Sequence, residues 1–314
     1  MLNYTQAIVI GLIQGVTELF PISSLGHSVL VPAWVGGSWQ RLVADQSAPE
    51  SPYLAFIVGL HVATALALLW FFRADWVRVL AGLGRSVRER RIPDSDARLG
   101  WLLVIGTIPV GLTGLVFEHP LRTLFAKPLA AAVFLTINGG ILLAGERLRR
   151  RPSADAGNPA LLAAHDGEPA RTTAAHGSTA TMTDRRTLAA LSMPSAVGIG
   201  CFQIAALFAG ISRSGVTMVG GLLRGLSHED AARFSFLLAT PVIFAAGVYK
   251  VPDLLGPNGR GIHGQVLVGS IVAGAAAYVS VRFLTRYFTS RTLTPFAIYC
   301  LLLGAVSIVR FGLA

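Results

Sequence analysis

A stretch of seven residues near the start of the chain, Pro21-Ile-Ser-Ser-Leu-Gly-His27, interrupts an apolar segment with polar groups. Ser24 and His27 are three residues apart, so on a helical turn the hydroxyl and the imidazole would lie on the same face. Such a pair is typical of nucleophile–base or acid–base catalysis. Glu18 follows Gln14 by four residues, which places this carboxylate and this amide on one helix face. Each residue alone also fits a structural role, but together they predict a catalytic cluster.

A second polar stretch, Ala209-Gly-Ile-Ser-Arg-Ser-Gly-Val-Thr217, interrupts another apolar segment. An arginine in the centre of a membrane helix costs about 2.5–3.5 kcal/mol on insertion scales, so Arg213 is expected to meet an anion there. A guanidinium group binds two phosphate oxygens at once, which an ammonium group cannot do. The alternative is a structural salt bridge to Glu18. Ser212 is expected to cap a following half-helix, whose free N–H groups favour an anion. The residues predicted to bind phosphate beside Arg213 are Ser23, Gly210, Ser212, Ser214 and Thr217.

The remaining polar residues in or near apolar runs give weaker signals. His61 lies in the middle of an apolar run with no acidic residue near it in sequence, which favours a structural hydrogen bond. Glu118, His119 and Lys127 stand at the edge of a loop and are expected to be solvated. The chain has no Cys/His cluster with metal-ligand spacing, no phosphate-binding P-loop pattern and no dinucleotide fingerprint. Only the two polar stretches therefore carry a chemical prediction.

The composition predicts that these stretches are positioned by membrane helices. Apolar residues make up 53% and charged residues 13% of the 314 residues, and the mean hydropathy is +0.61. A soluble globular chain averages about 25% charged residues. The net charge of +10 does not indicate nucleic-acid binding, because the arginines are grouped in loops between apolar runs. Cys201 and Cys300 both lie in apolar runs and are predicted to be small buried hydrophobic residues.

Apolar runs of two kinds are present. Six approach the length of about 20 residues that a helix needs to cross a bilayer. These predicted spans are Leu54–Phe72, Trp101–Phe117, Pro128–Gly145, Phe234–Tyr249, Gly264–Val281 and Leu293–Val309. Two further regions, Asn3–Val35 and Leu188–Leu226, are too long for one span and contain the polar stretches in their middle. Irregular backbone at membrane depth is tolerated only where it is buried in protein or lines a wet cavity. We therefore expect two re-entrant helical hairpins with polar tips.

The distribution of positive charge agrees with this topology. With both hairpins re-entrant, nineteen Lys and Arg residues of the loops fall on one side of the membrane and five on the other. The positive-inside rule makes the first side cytoplasmic. The first basic residue is Arg41, so no cleavable signal peptide is predicted and the first apolar segment stays in the mature protein.

The fold class that follows is an all-α polytopic membrane protein with an inverted repeat, each half a re-entrant hairpin followed by three transmembrane helices. The first repeat is predicted over residues 1–147 and the second over residues 188–314. Residues 148–187 are rich in Ala, Arg, Gly, Thr and Pro without periodicity, which predicts a disordered cytoplasmic linker. At an offset of 189 residues, seven residues of the first hairpin recur in the second. They are Ala7, Ile10, Gly11, Gln14, Ile22, Ser23 and Gly26, which match Ala196, Ile199, Gly200, Gln203, Ile211, Ser212 and Gly215.

The two tips together resemble the undecaprenyl-diphosphatase family, the bacterial bacitracin-resistance membrane proteins. That family carries an (E/Q)xxxE motif followed by PxSSxGH, and a second motif, PGxSRSxxT. Here the first motif reads Gln14-Gly-Val-Thr-Glu18 and then Pro21-Ile-Ser-Ser-Leu-Gly-His27, and the second reads Ala209-Gly-Ile-Ser-Arg-Ser-Gly-Val-Thr217. Ala209 replaces the proline of the second motif, which relaxes that tip. Gln14 is the uncharged alternative at its position, so a metal there would have one less charge to bind.

The resemblance implies hydrolysis of undecaprenyl diphosphate to the monophosphate and inorganic phosphate, which recycles the lipid carrier of cell-wall synthesis. It also implies a location in the bacterial cytoplasmic membrane, an active site that faces outward, and a divalent cation, Mg²⁺ or Ca²⁺, at Glu18 and Gln14. Carried onto this chain, Ser24 would attack the terminal phosphorus with His27 as base and later acid, while Arg213 holds the developing charge. Attack by His27 or by an activated water stays open, and so does a homodimer.

Two other functions fit part of the pattern. Inverted repeats with paired tips are also the architecture of secondary transporters, so the anion site would then move a phosphate-bearing lipid without cleaving it. The set of Ser, His and Glu beside an arginine favours hydrolysis, because a carrier needs no nucleophile or base. The other lipid phosphatase class, with PSGH and SRxxxxxHxxxD segments, does not fit, because no His or Asp follows Arg213 at the distances that pattern requires.

Overall fold

The computed structural model describes residues 2–44, 52–125, 127–149, 188–256 and 261–313. Throughout these ranges the chain is helical and contains no strand, which confirms the all-α class. The twelve helices of the described ranges are α1 (Tyr4–Thr17), α2 (Ser24–Val35), α3 (Gly37–Ala44), α4 (Pro52–Phe71), α5 (Arg73–Glu89), α6 (Ser95–Phe125), α7 (Pro128–Arg149), α8 (Met193–Ala205), α9 (Arg213–Leu222), α10 (His228–Leu255), α11 (His263–Tyr287) and α12 (Thr294–Gly312). The linker predicted for residues 148–187 lies outside the described residues from 150 onward.

Six of these helices are long and apolar enough to cross a bilayer, which confirms the six predicted spans. They are α4, residues 95–117 of α6, α7, residues 228–249 of α10, α11 and α12. The apolar stretch of α10 is 61% buried inside the protein, whereas that of α12 is only 22% buried. The chain is therefore a multi-pass membrane protein in which α10 is central and α12 lies at the periphery, towards lipid.

The two long apolar regions break where the sequence predicts. α1 ends at Thr17 and α2 begins at Ser24, and in the second region α8 ends at Ala205 and α9 begins at Arg213. These four helices have 14, 12, 13 and 10 residues, each short of the span length. We call the connecting segments, each taken with the first residue of the helix that follows (residues 18–24 and 206–213), the first and second tips. Re-entry into a bilayer and the repeat boundaries stay predictions.

Two pairs of helices cross at equivalent glycines. A Cβ added to Gly11 of α1 would collide with the backbone of Gly269 in α11. A Cβ added to Gly200 of α8 would collide in the same way with Gly106 in α6. Gly11 and Gly200 are 189 residues apart, the offset at which the two hairpins match. Only glycine allows backbones this close, so the two crossings agree with the predicted repeat.

Two expectations need correction. The arginine-rich segment Arg73–Arg98, expected to be a loop, contains α5, whose buried positions Asp75, Val79, Gly82 and Ser86 recur every three or four residues. This stripe lies on α6, because a Cβ at Gly82 would touch the backbone of the first turn of that helix. The prediction that both cysteines are buried holds for Cys300 and is wrong for Cys201, which lies on the exposed face of α8.

Candidate active site

Glu18 is the centre of a buried polar cluster at the first tip. It follows directly after α1, and the residue is only 7% exposed. Its Oε2 accepts hydrogen bonds from Ser24 Oγ at 2.5 Å and from Gln14 Nε2 at 2.9 Å. Its Oε1 accepts one from the guanidinium of Arg213 at 2.7 Å. A buried carboxylate needs this kind of compensation, because an unpaired buried charge is strongly destabilising.

Arg213 crosses from the second tip to the first. It is the first residue of α9, and its side chain is 15% exposed, compared with 6% for Glu18. The structure therefore contains the salt bridge that the sequence offered as the alternative to an anion site. The two functions are compatible, because a phosphate group that enters beside Arg213 can compete with the carboxylate for the same guanidinium.

Ser24 is paired with Glu18 and not with His27. Ser24 is the first residue of α2, and its hydroxyl donates to the carboxylate over 2.5 Å. The side chain of His27 makes two other contacts: its Nδ1 is 2.7 Å from the carbonyl oxygen of Ser23, and its Nε2 is 2.7 Å from the hydroxyl of Tyr299. The helical spacing predicted a contact between Ser24 and His27, but in the structure the two side chains have different partners.

The hydroxyl groups predicted to bind phosphate connect the tips. Ser23 Oγ accepts from the backbone N–H groups of Gly26 and Gly210, at 3.2 and 3.1 Å, so it caps α2 and holds the second tip at once. The hydroxyls of Ser212 and Ser214 lie 3.4 and 3.2 Å from the carbonyl oxygen of Phe20, to which they donate. The Thr217 hydroxyl donates to the carbonyl of Arg213 at 2.6 Å. The hydroxyls of Ser23, Ser212 and Ser214 thus join the two tips, whereas that of Thr217 bonds within α9, and their contact with phosphate stays a prediction.

Asn138 is a connecting residue that the sequence analysis did not identify. It lies on α7 and is completely buried. Its amide Nδ2 donates to the carbonyl of Pro21 in the first tip at 3.0 Å, and its Oδ1 accepts from the N–H of Ser212 in the second tip at 2.9 Å. The sequence did contain a signal for this residue, namely an asparagine inside the predicted span 128–145. A buried amide in a membrane helix requires polar partners.

His61 also belongs to the site. The sequence interpretation assigned it a structural hydrogen bond, and its Nδ1 does lie 2.9 Å from the carbonyl oxygen of Ile57. Its Nε2, however, is 3.4 Å from Oε2 of Glu18, an acidic partner 43 residues away in sequence. Of the other weaker candidates, Lys127 is exposed, and the side chains of Glu118 and His119 lie outside the described part of the chain.

The residues at the first tip can share a divalent cation with a substrate. Gln14 is 1% exposed, and its Oε1 has no hydrogen-bond partner in the structure, so a buried oxygen donor is available beside the Glu18 carboxylate. Among the described residues no group of three or more His, Cys, Asp or Glu side chains could hold a metal. Mg²⁺ commonly binds through one or two protein groups, several waters and substrate phosphates. Gln14 and Glu18 fit a cation that is bound partly by water and substrate phosphate. They do not fit a metal site formed by protein ligands alone.

Comparison with known proteins gives a consistent result. The chain matches the family model described as "Bacitracin resistance protein BacA" over residues 7–306, which include both tips. It is 58% identical to "Undecaprenyl-diphosphatase 2" of Frankia alni, over 100% of this chain and 99% of that protein. It is 60% identical to "Undecaprenyl-diphosphatase" of Mycolicibacterium paratuberculosis, over 99% of this chain and 98% of that protein. A more distant relative of the same name, from Granulibacter bethesdensis, is 42% identical over 99% of this chain and 98% of that protein.

Proposed function

The chain belongs to the bacitracin resistance protein BacA family, and we propose that it is an undecaprenyl-diphosphatase whose active site is formed by the two hydrogen-bonded tips around Glu18. It hydrolyses undecaprenyl diphosphate to undecaprenyl phosphate and inorganic phosphate. Six membrane-spanning helices suit a substrate whose hydrocarbon chain lies in the bilayer. The observation that carries the site assignment is the contact of one carboxylate with a serine hydroxyl and an arginine from opposite halves of the chain.

Substrate binding and nucleophile activation are one event in this mechanism. In the resting site Arg213 holds Glu18, which makes the carboxylate a weak base. Oxygens of the terminal phosphate take over the guanidinium and release the carboxylate. Glu18 then accepts the proton of the Ser24 hydroxyl, which is already hydrogen-bonded to it at 2.5 Å. Ser24 Oγ attacks the terminal phosphorus, and the bond from that phosphorus to the bridging oxygen breaks, so undecaprenyl phosphate leaves.

The second step hydrolyses the phosphoserine. A water attacks the phosphorus and gives its proton to Nε2 of His27, and the bond between phosphorus and Ser24 Oγ breaks. The proton held by Glu18 returns to the Ser24 oxygen, and the His27 imidazolium gives the water's proton to the departing inorganic phosphate. Nε2 is the nitrogen available for this role, because Nδ1 of His27 faces the carbonyl oxygen of Ser23. Arg213 and the first-turn N–H groups of α2 and α9 stabilise the charge on the phosphoryl oxygens.

A divalent cation, Mg²⁺ or Ca²⁺, would be held by Glu18 and the free Oε1 of Gln14 together with oxygens of the diphosphate. When bound, it would neutralise part of the negative charge of the diphosphate and so help the phosphate to leave. Because Gln14 is uncharged, the binding depends on the substrate. We expect weak cation binding to the free protein and stronger binding in the presence of a diphosphate.

The biological role follows from the reaction. The protein recycles the lipid carrier of peptidoglycan synthesis from the bacterial cytoplasmic membrane, and this activity confers bacitracin resistance. The site opens to the exterior, as the resemblance to the family implies, while the nineteen basic residues on one side against five on the other support only a cytoplasmic location of the arginine-rich connections. Two copies forming a homodimer are compatible with a membrane protein whose peripheral helix α12 is mostly unburied.

The test is phosphate release by the purified protein in detergent from a C55 or shorter prenyl diphosphate. Wild type should release phosphate in the presence of a divalent ion, and Ser24→Ala and Arg213→Ala should each lower the rate by about 10²–10³-fold. Arg91→Ala, which removes an exposed arginine that pairs with Glu89 and not with a tip residue, is the control and should keep full activity. If wild type binds the lipid without releasing phosphate, the transporter explanation replaces this one.

The nucleophile can be identified separately. Substrate labelled in the terminal phosphate is mixed with enzyme and the reaction is stopped within one turnover. Label that stays on the protein in acid indicates phosphoserine, and Ser24→Ala should abolish it. Label that is lost in acid but kept in base indicates phosphohistidine and would assign the attack to His27. If all the labelled phosphate is released in a single turnover and no labelled protein forms, the attacking group is water.

A further inference from the structure

Tyr299 contacts the candidate active site from α12, a helix for which the sequence predicted no functional residue. Its hydroxyl is 2.7 Å from Nε2 of His27, and the two residues are 272 positions apart in the chain. The tyrosine and imidazole rings are nearly parallel, with an interplanar angle of 8° and centroids 5.7 Å apart. Both a hydrogen bond and a ring contact therefore act on the same imidazole.

The two hydrogen bonds of His27 define which nitrogen carries the proton. The partner of Nδ1 is the carbonyl oxygen of Ser23, which can only accept, so Nδ1 is the N–H nitrogen. In the neutral ring Nε2 then has a lone pair and accepts from the Tyr299 hydroxyl. Tyr299 is thus the donor that completes this arrangement. Without it, the hydrogen bond to Ser23 would hold the ring on its Nδ1 side alone.

The hydroxyl is the part of Tyr299 that reaches the buried imidazole by a hydrogen bond. His27 is 3% exposed, whereas Tyr299 is 42% exposed, at the edge of the site on a peripheral helix. A phenylalanine would pack equally well at such a position, so the ring alone gives no reason for the hydroxyl. The exposed edge also leaves Tyr299 room to turn away when another group approaches Nε2.

We propose that Tyr299 is a positioning residue for His27. The tyrosine hydroxyl holds the imidazole so that its deprotonated Nε2 stays oriented for the reaction, and it gives way when the reacting water binds. This inference rests on the proposed function, in which Nε2 of His27 takes a proton from that water. The same hydroxyl covers Nε2 until substrate and water are in place. Loss of the hydroxyl should therefore harm catalysis and also make Nε2 more accessible to reagents.

The kinetic test uses Tyr299→Phe in the full chain purified in detergent. We expect kcat to fall by about tenfold, because the imidazole is less well oriented towards the reacting water, while KM stays within about twofold of wild type. Tyr287→Phe is the matched control: its hydroxyl donates to the carbonyl of Thr292 at 3.4 Å, away from the tips, and its kcat should not change. An unchanged kcat in Tyr299→Phe would overturn the proposal.

Chemical labelling gives a readout that does not depend on activity. Diethyl pyrocarbonate acylates a deprotonated imidazole nitrogen, and peptide mass spectrometry gives the labelling rate of each histidine. His27 should react about threefold or more faster in Tyr299→Phe than in wild type, because the competing hydrogen bond is lost. His61 has no tyrosine partner among its contacts and is the reference within the same sample. Equal His27 rates in the two proteins would contradict the proposal.

The two levels of failure can be distinguished. If His27→Ala keeps full turnover, the role of His27 in the proposed function is wrong, whatever Tyr299→Phe does. If His27→Ala is inactive while Tyr299→Phe equals wild type in both kcat and labelling, only the role of Tyr299 is wrong. Thermal unfolding of each variant shows whether a lower rate comes from loss of folded protein.

Discussion

Replacing Arg213 by alanine should lower both the stability of the protein and its turnover, and the two losses have different causes. The guanidinium lies 2.7 Å from Oε1 of Glu18, and the two side chains are 15% and 6% exposed, so the pair is removed from water. Removing one partner of such a pair costs about 3–5 kcal/mol, because the other charge is left buried. Here His61 stays 3.4 Å from the carboxylate and partly compensates it. We therefore expect a loss near the lower end, about 3 kcal/mol.

The catalytic loss should be independent of that stability loss. Arg213 is the one arginine at the tips among the described residues, and without it the phosphoryl oxygens lose a charged donor. A donor of this kind contributes about 10²–10³ to turnover. Arg213→Lys keeps the charge but loses the planar fork, so its rate should fall between those of wild type and Arg213→Ala.

The double variant Glu18→Gln/Arg213→Gln separates the two effects. Both charges are absent, so no buried ion is left alone, and its thermal unfolding in detergent should return most of the way to wild type. Its phosphate release should stay as low as that of the single variants. The explanation would be refuted if Arg213→Ala were as stable as wild type, or if the double variant were less stable than Arg213→Ala.

Three further predictions concern the groups around this pair. Ser24→Ala should lower kcat by about 10²–10³-fold in the phosphate-release assay with little change in unfolding temperature, because only one exchangeable hydrogen bond is lost. Asn138→Ala leaves the N–H of Ser212 without its acceptor, so it should destabilise the protein by about 2–3 kcal/mol in thermal unfolding and lower activity through displacement of the tips. Gly210→Ala should cost more than about 2 kcal/mol, because Gly210 has φ +114° and a Cβ there would lie 2.5 Å from the carbonyl oxygen of Ala131. Gly37→Ala, at φ +56° with nothing within 4 Å, is its control and should cost only about 1 kcal/mol, and equal losses in the two variants would contradict the steric argument.

The sequence predicted those features of the fold that depend on local composition. A run of uncharged apolar residues has few alternatives to a membrane helix, so all six spans could be located. Polar residues inside such runs are costly, so the breaks at Pro21 and Gly210 were equally visible. The amphipathic helix α5 was missed because its many arginines outweighed the small buried stripe that packs on α6.

Partners within the site depend on tertiary geometry and were predicted less completely. Helical spacing favoured contact between Ser24 and His27, but Ser23 has a left-handed backbone, at φ 70°, immediately before α2, and Ser24 donates to Glu18 instead. His61 and Tyr299 lie on helices whose sequence neighbourhood contains no partner for them. Their contacts with Glu18 and His27 arise only when α4 and α12 pack beside the tips.

The resting pair of Arg213 and Glu18 has a consequence for product release. Each group is held by the other until a phosphate arrives, so any phosphate dianion that reaches Arg213 also releases the Glu18 carboxylate. Inorganic phosphate, the product that leaves last in the two-step mechanism, thus occupies the group that the next substrate needs. The carboxylate then competes with phosphate for the guanidinium and helps to displace it. In the proposed mechanism Glu18 would therefore serve the site twice, as the base that activates Ser24 and as the internal anion that clears Arg213 after each turnover.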